Sequence, residues 1–99
     1  MDSSINRSIQ EGFKQLQLGD PKAAISYLTP VTNFFPVTNE VIEAMRLAGV
    51  AFRRLQYFEA STRHLEDSIR EAQRLKKPDL EALATEELLT TSRARATHR

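Results

Sequence analysis

Ile5, Ile9, Phe13 and Leu16 recur at spacings of 4, 4 and 3, which puts them on one face of a helix. Ser3 or Ser4 is a candidate cap for its start and Gly19 for its end. Asp20-Pro21 reads as cap plus first position of a second helix, with Ala24, Ile25, Leu28 and Val31 as its apolar residues. Pro30 falls inside that pattern and is expected to kink or shorten the helix, because its ring displaces the carbonyl four residues back. Asn33-Phe34-Phe35-Pro36 then breaks the pattern, and its two aromatics are expected to plug the space beneath the turn.

A third helix is expected from Val41 to about Leu55. Thr38 or Asn39 serves as its cap, and Glu40 sits favourably in its first turn. Val41, Ile42, Met45, Leu47, Ala48, Val50, Ala51, Phe52 and Leu55 cover nearly its whole circumference, so it should lie sandwiched between other helices. A fourth helix follows over about Phe58 to Lys76, with Phe58, Leu65, Ile69 and Ala72 as its stripe and Ala60 beside it. Glu59–Arg63 and Glu66–Arg70 are acid-before-base pairs four apart, the favourable order. Pro78 ends that helix and starts a fifth, about Asp79 to Ala94, carrying Leu80, Leu83, Ala84 and Leu88. No strand is expected. The reading is all-α: five helices joined by short turns in an array of antiparallel hairpins.

Ala24 and Ala60 are 36 residues apart. Aligning them sets Gly12 opposite Ala48, Leu16 opposite Phe52 and Leu28 opposite His64. A small residue in the first helix of each pair and another early in the second would let paired helices approach closely. At Gly12, Gly19-Asp20, Ala24 and Pro36 of a first unit (residues about 5–36), and at Leu47, Ala48, Phe52, Ala60 and Pro78 of a second (about 41–78), the chain resembles the tetratricopeptide repeat family. Units of that family are about 34 residues long. The fifth helix, about 79–94, looks like the opening of a third unit and would cap about two and a half repeats, with 95–99 as a frayed basic tail and residues 1–95 forming a single domain. The chain departs from the family pattern at its missing tryptophan, at Glu11 in place of a leucine, and at Pro30.

The resemblance implies a protein-interaction module that binds a peptide or protein segment on a concave face lined by the first helix of each hairpin. One subgroup of the family clamps acidic tails with cationic and amide side chains. The matching positions here hold Ile9 and Phe13, and only Arg46 fits. An apolar groove with one cationic wall is therefore expected, with Ile9, Phe13, Met45, Arg46, Phe52 and Arg53 as its partner-binding residues. Arg46 and Arg53 are seven apart, hence on one face, and can orient a carboxylate or phosphate. Leu80, Leu83 and Leu88 are the candidate seam for a homodimer or for docking, since two and a half units leave an open end.

Composition and charge narrow the function. With 99 residues, 40% hydrophobic and 27% charged, the chain has the make-up of one small globular domain. It lacks cysteine, which excludes disulfides, thiolate metal sites and cysteine nucleophiles. Net charge is +1 overall, distributed as −1 over residues 1–40, +3 over 41–78 and −1 over 79–99. The basic stripe Arg63, Arg70, Arg74, Lys77 is an alternative nucleic-acid surface, but Glu59, Glu66, Asp67 and Glu71 interleave with it, and an ion-paired face is the simpler reading. His64 and His98 have no ligand partner three or four residues away, so no metal site is expected. Three scattered glycines form no phosphate loop, and no serine has a nearby His/Asp pair. The expectation is a binding protein, not an enzyme, without cofactor. No stretch is long and apolar enough for a membrane span, and the start lacks a secretion-signal pattern. A cytoplasmic or soluble organelle location is expected.

Overall fold

A computed structural model describes residues 3–98, apart from the side chain of Ser3. The capping role considered for Ser3, and Arg99 of the expected tail, lie outside the described residues. Five helices follow one another: α1 Ser3–Gln17, α2 Pro21–Thr32, α3 Asn39–Arg54, α4 Phe58–Arg74 and α5 Pro78–Thr97. Among the described residues there is no strand, and no helix is long and apolar enough to cross a membrane.

Each helix packs against its neighbour in sequence. In addition α1 packs against α3 and α3 against α5, while α2 and α4 do not touch among the described residues. The chain therefore forms two layers, α1, α3, α5 in one and α2, α4 in the other. Its shortest dimension, 18 Å, is that of two helix layers spaced about 8–10 Å apart. α3 touches all four other helices, which accounts for its apolar circumference: Val41, Ile42, Ala44, Met45, Leu47, Ala48, Val50 and Ala51 are all buried.

Three of the four connections are the same turn. α1 ends with Gly19 at φ 80°, where the Asp20 amide donates to the Gln15 carbonyl at 2.8 Å and the Gly19 amide to Leu16 at 3.1 Å. That is a Schellman ending. Gln56 (φ 65°) and Lys76 (φ 57°) repeat it: the Tyr57 amide donates to Phe52 at 2.9 Å and the Lys77 amide to Ala72 at 2.8 Å. The next helix starts two residues later each time, at Pro21, Phe58 and Pro78. Asp20 caps α2 through the Ala23 amide at 3.1 Å, whereas Tyr57 and Lys77 make no side-chain cap. The fourth connection, between α2 and α3, is longer. It contains a cis Phe35–Pro36 peptide bond, and Thr38 caps α3.

The internal repeat has a spacing of 37, not 36. A Cβ built on Gly12 would lie 2.5 Å from Leu28 Cγ, and one built on Gly49 2.5 Å from Leu65 Cγ. Both glycines let a fully buried leucine of the partner helix seat directly on the backbone. Gly12 thus matches Gly49, Leu28 matches Leu65 and Gly19 matches Gln56, so the counterpart of Ala24 is Ser61 rather than Ala60. Ser61 replaces alanine without a stranded hydroxyl: its Oγ donates to the Gly49 carbonyl at 2.7 Å. Seven residues on, Ser68 donates to the Ile42 carbonyl at 3.0 Å. Both serines are fully buried, and they pin α4 to α3 at two points one heptad apart.

Other expectations are corrected locally. α2 ends two residues past Pro30, which is exposed, so the ring and the missing amide fall in its last turn. Phe34 and Phe35 are 43% and 88% exposed and plug nothing, because α2 and α3 already fill the space between them with Leu28, Val31 and Val41. α4 stops at Arg74, since Lys76 turns left-handed. Its ion pairs run from Arg70 to Asp67 and Glu71, and from Arg74 to Glu71. α5 extends through Thr97 rather than fraying after Ala94, and the His98 ring rests 5.3 Å from that of Phe58.

Candidate functional site

The layer α1, α3, α5 has an open side. Its outer members α1 and α5 do not touch among the described residues, so a gap runs between them with α3 as its floor. The gap holds an open groove of about 370 Å³. α1 contributes Asn6, Ile9 and Gln10. The first turns of α3 contribute Asn39, Glu40 and Glu43, and α5 contributes Leu80. Ile9 and Leu80 are both half-buried and supply the apolar surface, one from each wall. The rest of the lining is three amides and two carboxylates.

The helices place these groups by simple periodicity. Asn6 and Gln10 are four apart and share a face of α1 with Ile9 between them. Glu40 and Glu43 are three apart in the first turns of α3, where the positive end of the helix dipole favours carboxylates. Glu43 is engaged by the Arg46 guanidinium. Glu40 forms no hydrogen bond or ion pair among the described residues.

Of the six residues expected to bind a partner, the structure brings only Ile9 into this groove. Phe13 lies one turn further along α1 and is 48% exposed. Arg46 borders the groove through Glu43. Met45 is buried in the core, because α3 is packed on that side as well. Phe52 is half-buried under the α3–α4 turn, its ring 6.4 Å from Tyr57 and 5.0 Å from His64. Arg53 is not a free cation either. It makes a 2.9 Å ion pair with Glu87 and donates to the Glu87 carbonyl at 3.2 Å and to Thr91 Oγ1 at 3.4 Å. The expected cationic wall is thus consumed inside the fold.

Arg53 and its neighbour Arg54 act as two struts from the last turn of α3. Arg54 donates to the Leu16 carbonyl at the end of α1, at 2.6 Å, while Arg53 reaches α5. Together they tie α3 to both walls of the groove. The three leucines of the expected seam on α5 do not form one stripe: Leu80 lines the groove, Leu88 is half-buried and Leu83 is 44% exposed. Of the basic stripe, Arg70 and Arg74 are held by acids on α4, while Arg63 on α4 and Lys77 in the turn before α5 form no ion pair among the described residues.

A larger hollow of about 640 Å³ lies over the α3–α4 turn, but Gln56 to Arg63 supply its whole lining. It is the outside of one turn rather than a space between elements. The groove residues that the sequence left out, Asn6, Gln10, Asn39, Glu40 and Glu43, are polar residues on helix faces; only the position of α5 across from α1 gathers them. Comparison with protein-family models, curated proteins and solved structures finds no match for this chain.

Proposed function

We propose that this chain is a small protein-interaction module, acting as an adaptor, assembly factor or regulator. It receives a peptide or protein segment in the groove between α1 and α5. The observation that carries this reading is the gap itself: two helices that do not touch, held apart over a common floor, each offering one aliphatic side chain beside amides and carboxylates. Amide side chains both donate and accept, which suits the main chain of an extended segment, and Ile9 and Leu80 suit an apolar side chain between them. The resemblance to tetratricopeptide repeats supports the same role, since those repeats bind segments along the layer formed by their first helices. On this reading the protein is a binding module rather than an enzyme and works in the cytoplasm or a soluble organelle interior.

Affinity capture from an extract of the source organism tests the proposal, with Leu80→Arg and Ile9→Glu proteins as controls. Both positions are half-buried groove residues, so melting temperature is recorded for each. A partner held by the native chain and lost by both variants, with cooperative melting retained, is the expected result. Equal capture by all three proteins would move the site away from the groove.

A further inference from the structure

The groove's charge is opposite to the one that the arginines of α3 suggest. Among its lining residues two are carboxylates and none is cationic. Arg53 is held by Glu87 and Thr91, and Arg54 by the Leu16 carbonyl. Arg46 is held by Glu43. Among the described residues these contacts leave Glu40 as the carboxylate of the lining without an ion-pair partner, half-buried in the first turn of α3 beside Asn39. A partly desolvated carboxylate without a partner attracts a cation more strongly than a fully solvated one, because the local dielectric is lower. An acidic segment would meet repulsion from Glu40 and find no free guanidinium within the lining.

We propose that the groove selects an extended peptide carrying a lysine or arginine two residues from an aliphatic side chain. This rests on the reading of the groove as a peptide site and names the chemistry of its occupant. Two residues is the shortest same-side spacing of an extended chain. In an extended chain, residues i and i+2 project to the same side, about 6.6–6.8 Å apart. A cation directed at Glu40 therefore leaves the residue two positions away facing the same groove, where Ile9 and Leu80 offer apolar surface. Asn6, Gln10 and Asn39 are left for the peptide's own amide and carbonyl groups. A cationic head on a long aliphatic stem also suits such a lining, since the stem packs while the head pairs.

The test is a displayed library of random eight-residue peptides, selected in parallel against the native chain, Glu40→Lys and Leu80→Arg. Selected peptides are then synthesised and titrated by fluorescence anisotropy, and their site is mapped by amide chemical-shift changes. The native protein is expected to enrich lysine or arginine two positions from an aliphatic residue. Those peptides should bind roughly fivefold more weakly to Glu40→Gln and more weakly still to Glu40→Lys, with affinity falling as salt rises. Glu40→Lys should in turn enrich acidic peptides. Peptides that map to the groove without a cation, or that bind Glu40→Lys undiminished, would overturn this inference and leave the peptide site standing. If Leu80→Arg selects and binds the same peptides as the native chain, with shifts outside the groove, both readings fall. Thermal melts of each variant separate lost binding from lost fold.

Discussion

The hydroxyls of Ser61 and Thr91 lie 2.9 Å apart, fully buried between α4 and α5. Donor accounting fixes the direction of the bond. The single hydroxyl proton of Ser61 is committed to the Gly49 carbonyl, so Thr91 donates to Ser61, and Thr91 in turn accepts from Arg53. A one-way chain of hydrogen bonds thus runs from Arg53 through Thr91 and Ser61 to Gly49 and joins α3, α4 and α5.

Removing one hydroxyl from that chain should cost more than removing both in proportion. Thr91→Val is isosteric and should destabilise by about 1–2 kcal/mol, lowering the melting temperature by roughly 4–8 °C for each kcal/mol in a domain of this size. Ser61→Ala removes the second hydrogen bond to the Gly49 carbonyl, leaves the Thr91 proton without a partner and should cost a similar amount. The double variant should lose less than the sum, since the Thr91 proton that Ser61→Ala strands is then gone as well. Chemical denaturation of the four proteins measures the coupling, and strict additivity would dissolve the chain into independent contacts.

Arg53→Glu should be a folding defect, not a surface change. It would place two carboxylates together at Glu87 and strip Thr91 of its donor. A loss of about 3 kcal/mol or more is expected, in keeping with breaking a largely buried pair. Arg53→Met keeps the aliphatic stem and should cost less. Arg63→Glu, on an exposed residue, should stay within about 0.5 kcal/mol. Melting curves for the three variants check this ordering.

Gly12→Ala and Gly49→Ala should both destabilise, although alanine is the better helix former by about 1 kcal/mol. Each new methyl would fall 2.5 Å from the branch carbon of a fully buried leucine, and overpacking of that kind costs about 1–3 kcal/mol. Pairing each with Leu28→Ala or Leu65→Ala tests the cause. The glycine substitution should be far less harmful once its leucine is shortened.

Gln56→Gly and Lys76→Gly should stabilise the chain. Both positions hold left-handed backbone that costs a side-chain-bearing residue about 1–2 kcal/mol, partly offset by the greater freedom of glycine in the unfolded chain. A gain of about 0.5–1 kcal/mol each, read as a higher melting temperature, is expected. No gain at either position would mean that the Gln56 and Lys76 side chains contribute contacts of their own.

The five-helix order was legible because the apolar spacings of α1, α3 and α4 and the Gly19-Asp20-Pro21 turn are strong local signals. What escaped was tertiary. Ala24 and Ala60 coincide at a spacing of 36, whereas packing equates Ala24 with Ser61, a polar residue made tolerable by one carbonyl. Gln56 and Lys76 adopt glycine's conformation without being glycine, so two of the three matching turns left no mark. Arg53 and Thr91 read as surface residues until α5 folds over them, and the groove exists only because α5 stands opposite α1. Periodicity along one helix cannot report which groups another helix brings near.

The two-layer order also bears on how the chain acquires its structure. Among the described residues every helix meets only its next or next-but-one neighbour in sequence, so no contact waits for distant ends of the chain to find each other. Low contact order of this kind goes with folding in microseconds to milliseconds. The hairpin of α1 and α2 makes its contacts with α3 independently of α4 and α5. The groove waits on α5: its second wall exists only once that helix has packed against α3 and α4.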